Sequence, residues 1–224
     1  MIRYVMLLLP ALAAWMALKG GGLAWKLLVP ASCALVTVAL FWLPTALARR
    51  EVIVILLGFL SSLVGDYFLA TRSGHSHYFE LGIVSFLIAH GFFLRYALWN
   101  GGLSRGALFG VLAMFLPYYL FALFPRFKDP VLAVAVFLYL VVSCAGFAAA
   151  CGIRIASPGR PLYVVGIGLL LFSDTLISLS EFLRYRALSG WILPTYYAFL
   201  ICIAASVLVR RVDGATKRSL PPDP

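Results

Sequence analysis

Leu56-Leu57-Gly58-Phe59-Leu60-Ser61-Ser62-Leu63-Val64-Gly65-Asp66-Tyr67-Phe68-Leu69 is a run of apolar and small residues broken by one carboxylate. A second run, Gly166-Ile167-Gly168-Leu169-Leu170-Leu171-Phe172-Ser173-Asp174-Thr175-Leu176-Ile177, repeats the arrangement around Asp174. A charged side chain at the centre of a membrane helix costs roughly 2.5–3.5 kcal/mol on insertion scales, so it marks function by default. Two of them point to acid–base chemistry inside a bilayer.

The rest of the chain has the same character. Of its 224 residues, 63% are hydrophobic and 12% charged, with a mean hydropathy of +1.02. Soluble domains are about 45–50% apolar and about 25% charged. Eight apolar runs are long enough to be candidate spans, which need about 20 residues: near 2–18, 23–42, 52–71, 79–98, 106–124, 130–150, 162–183 and 191–209. They do not alternate as barrel strands do. The expected fold is an all-α polytopic membrane protein, a single bundle of eight transmembrane helices over residues 1–216, with a short polar tail at 217–224. The first run lacks a small-x-small cleavage site before a polar region and is taken as a retained helix.

Gly20-Gly21-Gly22, Asn100-Gly101-Gly102, Ser157-Pro158-Gly159 and Ser189-Gly190 punctuate the loops. Trp25, Trp42, Trp99 and Trp191 fall at helix ends, as an interfacial belt places them. Pro117 is expected to kink the fifth helix before Tyr118-Tyr119. The net charge of +10 comes from basic residues scattered between apolar runs, which suits lipid headgroups rather than nucleic acid. One side of the membrane would carry Arg3, Arg49, Arg50, Arg95, Arg105, Arg154, Arg160, Arg210, Arg211, Lys217 and Arg218, the other Lys19, Lys26, Arg72, Arg126, Lys128, Arg184 and Arg186. Eleven against seven places both termini in the cytoplasm, and a bacterial inner membrane is the expected location. Cys33, Cys144, Cys151 and Cys202 fit neither a zinc nor a disulfide pattern and behave as small apolar residues.

Helical spacing groups the polar residues. Gly58, Ser62 and Asp66 share one face, as do Gly82, Phe86 and His90, and then Asp174, Ser178 and Glu181. Tyr139 and Ser143 form a stripe on the sixth helix, and Tyr196 and Tyr197 bring phenols on the eighth. Lipid satisfies none of these groups, so they must face inward, where most such Ser and Tyr residues serve as interhelical glue. Glu181 is expected to pair with nearby Arg184 or Arg186, and His75, His77 and Glu80 form a loop cluster of metal-ligand types without a further ligand. Gly65-Asp66 and Ser173-Asp174 lie four helices apart, which suggests a parallel repeat with both carboxyls entering from one side. If the two carboxyls face each other in a low dielectric, one holds a proton while the other is charged. That division of labour suits an oxocarbenium-like transition state, and the bilayer selects a lipid substrate.

The segments Leu63-Val64-Gly65-Asp66-Tyr67-Phe68-Leu69, Phe79-Glu80-Leu81-Gly82-Ile83-Val84-Ser85-Phe86-Leu87-Ile88-Ala89-His90 and Leu171-Phe172-Ser173-Asp174-Thr175-Leu176 resemble the YhhN-type family, which includes the lysoplasmalogenases. Leu138-Tyr139-Leu140-Val141-Val142-Ser143 and Thr195-Tyr196-Tyr197-Ala198 extend the resemblance along nearly the whole chain. It departs at Phe93, where the family often has Tyr, and at Phe199 and Leu200, where a Gln is common. The resemblance implies hydrolysis of the vinyl ether of a lysoplasmalogen to a fatty aldehyde and a glycerophospho-base. The chemistry of that bond divides the acid and base roles between Asp66 and Asp174 in either order, and neither a metal nor a cofactor is expected. His90, Tyr139, Ser143, Ser173, Tyr196 and Tyr197 would orient the reacting groups; Lys26, Arg72 and Arg184 would hold the phosphate of the lysophospholipid. A proton-coupled lipid or small-molecule transporter is the competing reading of the same carboxylates. A zinc amidase of the ceramidase type would need several intramembrane histidines, where this chain has His90.

Overall fold

A computed structural model describes residues 2–42, 48–73 and 76–218. His75 and residues 219–224 of the expected tail lie outside them. The described chain forms eight α-helices and no strand, its one bridge joining Gly101 to Ile153. They are α1 (Leu8–Leu18), α2 (Leu23–Ala39), α3 (Arg49–Thr71), α4 (Ser76–Trp99), α5 (Arg105–Pro117), α6 (Pro130–Cys151), α7 (Gly159–Glu181) and α8 (Ile192–Arg218).

Seven of these segments are long and apolar enough to cross a membrane; the first, Tyr4–Leu18, is shorter. This corrects the expectation of eight full-length spans. Gly20 adopts φ +91°, a left-handed position that stops α1, and the Gly21 amide closes onto the Met16 carbonyl at 3.0 Å. Ahead of α1, Ile2–Leu7 winds as a 3-10 helix. Its larger rise brings the combined segment to roughly 28 Å, close to the ~30 Å hydrocarbon thickness.

Local signals start the helices where the sequence provides them. The Ser104 hydroxyl accepts from the Ala107 amide at the head of α5. Asp129 accepts from the Val131 amide at 2.9 Å at the head of α6, where Pro130 takes the first helical position. After Pro117 the fifth segment continues as a π-helix, Tyr118–Leu123, and a 3-10 turn, Phe124–Arg126. Proline removes the amide that would have kept the α-helical ladder in register.

The packing has a centre and an edge. In the α8 span 67% of the residues are buried, against 17% in the α5 span. The main core joins α1–α4 to α7 and α8, and a second cluster of Phe115, Tyr119, Leu123, Val136, Leu140 and Cys144 fills the α5–α6 seam. The most extensive contacts are α3 with α4 and α7 with α8. α3 and α4 approach closely because aromatic rings fill the recesses left by glycine. A methyl at Gly58 would meet the Phe93 ring at 2.7 Å, and one at Gly65 the Phe86 ring at 2.7 Å. Outward-facing positions carry large bare side chains, among them Phe109, Phe121 and Val131. Lipid covers such a surface at no cost. Trp42 and Trp191 stay exposed at span ends, and Arg50 and Arg95 stack on Trp99 at 5.3 and 4.5 Å.

At the end of the bundle that holds these arginines, the loop after α4 clasps the loop after α6. The Arg154 amide donates to the Asn100 carbonyl at 2.8 Å, and the Gly102 amide to the Gly152 carbonyl at 3.3 Å. A methyl at Gly152 would overlap the Gly102 carbonyl oxygen, a backbone atom that does not rotate away. Gly152→Ala should therefore lower the thermal unfolding midpoint in detergent, by the equivalent of about 1–3 kcal/mol. Gly110→Ala, where nothing lies within 4 Å, should leave it unchanged or raise it.

Candidate active site

One cavity of about 270 Å³ opens within the bundle, and both aspartates line it. Its walls come from α2 (Lys26), α3 (Asp66, Leu69), α4 (Phe79, Ile83, Phe86), the fifth segment (Phe115, Tyr118, Leu123), α6 (Val136, Tyr139, Leu140, Ser143), α7 (Ser173, Asp174, Ser178, Phe182) and α8 (Leu193, Tyr196, Tyr197). α3 ends at Thr71 and α7 at Glu181, so the carboxyls lie roughly 8–10 Å inside that end of the bundle. The site thus belongs to one face, opposite the clasp of Gly102 and Gly152, and not to the membrane midplane.

Each carboxyl is met by a polar group from another helix. The Tyr196 hydroxyl, carried on α8, donates to Asp66 Oδ2 at 3.0 Å. The Tyr196 ring is held edge-on by Phe86, with centroids 5.7 Å apart, and Phe86 itself is seated over Gly65. Across the cavity, His90 Nε2 stands 3.0 Å from Asp174 Oδ2, with the angles not yet those of an aligned hydrogen bond. His90 Nδ1 lies 2.9 Å from the Phe86 carbonyl. A carbonyl only accepts, so Nδ1 carries the hydrogen and Nε2 is the atom free to gain or lose one at Asp174. The Tyr139 ring packs on the imidazole at 4.8 Å, and its hydroxyl is directed at Asp174.

Of the other expected site residues, Ser143 and Tyr197 line the cavity with buried hydroxyls that have no hydrogen-bond partner among the described residues. Ser173 is also in the wall, but its hydroxyl donates to the Ile192 carbonyl at 3.1 Å and ties α7 to the start of α8. Lys26 reaches the cavity and acts electrostatically on Asp66. Arg72 and Arg184 are not in the lining. Arg72 pairs with Glu181 at 2.8 Å and stacks over Phe79 at 5.5 Å, so it sits beside the cavity rather than in it. Glu181 therefore takes its partner from α3, not from Arg184 or Arg186. Arg184 is exposed, with φ +58°, in the turn after α7 and outside the cavity lining.

Two lining groups were not picked out as site residues by sequence. The Ser178 hydroxyl donates to the Thr175 carbonyl at 2.8 Å, so Tyr118 must donate in its 2.7 Å contact with Ser178. This bond joins the π-helix to α7 across the apolar end of the cavity. Pro117 just before Tyr118 was the available signal. Among the described residues no three of His, Cys, Asp or Glu are grouped to hold a metal ion, and His77 faces Glu80 at 3.4 Å in the exposed first turn of α4 rather than in a loop.

The YhhN family model matches residues 23–207, most of the chain. No curated protein and no solved structure matches it.

If His90 and Asp174 are energetically joined, removing one leaves a buried polar group alone. His90→Leu and Asp174→Leu should each lower the thermal midpoint. The double variant should fall short of their sum, with a coupling of about 1–3 kcal/mol in a double-mutant cycle.

Proposed function

The chain belongs to the YhhN family, and on that footing we propose that it is a lysoplasmalogenase-like ether hydrolase. It would cleave the vinyl ether of a lysoplasmalogen to a fatty aldehyde and a glycerophospho-base. The observation that carries the reading is the placement of Asp66 and Asp174 on separate helices in the wall of one cavity, with apolar walls beyond them for a chain.

Vinyl ethers hydrolyse by protonation at carbon, and the two carboxyls divide that work. Asp66 is met by the Tyr196 phenol, whereas Asp174 has His90 Nε2 at 3.0 Å, a second acceptor beside it for a proton taken from water. Asp66 is thus the acid. Tyr196 occupies its Oδ2 and leaves the other oxygen to deliver the proton. The alkene π pair takes that proton at the outer carbon and leaves an oxocarbenium ion, which the Asp174 carboxylate stabilises. Water adds to the cationic carbon and gives its proton to Asp174, with His90 Nε2 sharing it. The hemiacetal collapses as its hydroxyl proton returns to Asp66 and Asp174 protonates the departing glycerol oxygen. Both carboxyls end as they began. The free hydroxyls of Tyr197 and Ser143 are suited to hold the ether oxygen or the water.

Purified protein in detergent with EDTA should release aldehyde from a vinyl-ether lysophospholipid and nothing from its ester-linked analogue. Asp66→Asn and Asp174→Asn should each lower turnover by about 10²–10⁴-fold while the protein stays folded. Folded wild-type protein that releases no aldehyde, or an active double variant, would overturn the proposal. A dependence on a proton gradient would then favour the transporter.

A further inference from the structure

Lys26 leaves one charge in this cavity unbalanced. It sits in the first turns of α2, lines the cavity, and among the described residues has no ion pair and no hydrogen bond. Asp66 is within its electrostatic reach but beyond ion-pair distance. The other cations expected at the site are spent or absent. Arg72 is already paired with Glu181, and Arg184 is exposed and outside the cavity lining. Half-buried in a mainly apolar wall, the Lys26 ammonium is open to an anion that enters the cavity. The mechanism above uses Asp66 as a neutral acid, so that anion is supplied by the ligand.

The cavity is also polarised from end to end. α2 packs on α1, α3 and α8, while α5 packs against α6 on the far side of the bundle. Lys26 therefore stands at one end, and Phe115, Leu123, Val136 and Leu140 wall the other. Asp66 is within the electrostatic reach of Lys26, and Asp174 faces Tyr139 on α6. In a lysoplasmalogen only the glycerol separates the phosphate from the vinyl ether, and the hydrocarbon leaves on the other side of the ether. We propose that Lys26 recognises the phosphodiester of the lysolipid. It thereby fixes the headgroup at α2, the vinyl ether beside Asp66, and the alkenyl chain along the α5–α6 wall. A lysine acts on phosphate as a point charge and needs no bidentate geometry. This inference rests on the proposed hydrolase reading and adds the ligand's orientation and the residue that selects it.

The test compares two substrates with the same alkenyl chain, 1-alkenyl-lysophosphoethanolamine and the uncharged 1-alkenylglycerol. Lys26→Met in the full-length protein should raise KM for the phosphate-bearing substrate about 10- to 100-fold, the size of one charge-assisted contact. Both kcat on that substrate and KM on alkenylglycerol should stay within about twofold. Lys26→Arg should retain most of the wild-type preference, and it covers the case in which the methionine variant does not fold. Inorganic phosphate added to the wild type identifies the source of the anion: competition that Lys26→Met abolishes marks a site for phosphate in general. Equal losses on both substrates would overturn the inference, because Lys26 would then act through Asp66 or the fold. No loss on either substrate would overturn it as well. Wild-type protein that hydrolyses neither substrate would instead sink the hydrolase reading itself.

Discussion

A carboxyl inside an apolar bundle must find a polar partner on another helix, and that requirement organises this protein. Asp66 on α3 is met by Tyr196 of α8, and Asp174 on α7 by His90 of α4. The two contacts cross the cavity's walls in opposite directions and tie four helices to one another. Each partner is itself fixed by neighbours: His90 through its bond to the Phe86 carbonyl, Tyr196 through the edge of the Phe86 ring. Phe86 is therefore common to both sides of the site. It is seated because Gly65, adjacent to Asp66, has no side chain to exclude it. One glycine in α3 thus sets the depth of α4 and, through it, the geometry of both carboxyls.

The division between a packed centre and a loose edge has a chemical consequence. The α8 span is mostly buried and carries Tyr196 and Tyr197, so the phenols are presented from the most constrained element. The fifth segment is the least buried, and Pro117 with its π-helix breaks the regular ladder there. Its inner side chains are apolar, apart from Tyr118 bonded to Ser178 and Tyr119, whose hydroxyl donates to the Ala133 carbonyl. Rigid polar groups thus stand at one end of the cavity and a softer apolar wall at the other. An amphiphile with a short polar part and a long chain matches that gradient. Under the proposed reading, proximity to one membrane face would let a headgroup stay hydrated while the vinyl ether sits among protein dipoles.

Much of this was legible in the chain. The apolar runs gave the helical segments, the fourfold spacing gave the faces of Gly58, Ser62 and Asp66 and of Gly82, Phe86 and His90, and the ordered motifs pointed to the YhhN family. Helical periodicity determines which residues share a face, because 3.6 residues complete a turn whatever lies nearby. The exceptions also have local causes in part. The first segment ends early at Gly20 because a left-handed glycine terminates it, and the triple glycine displayed that signal.

The sequence by itself determined the eight helical segments and their apolar character, the two carboxyls set within them, and the faces from which His90, Tyr139 and Tyr196 project. Only the tertiary structure decided who meets whom. Arg72 took Glu181 from α7, Arg184 stayed outside the cavity lining, Ser173 was spent on the Ile192 carbonyl, and Lys26 was left in the cavity with no carboxylate in contact. The reason is physical. Secondary structure follows from interactions within a few residues, whereas pairing between helices depends on the separation of two axes. That separation is set by how rings such as Phe86 and Phe93 fit the recesses of an opposing helix, and no local pattern in either helix contains it.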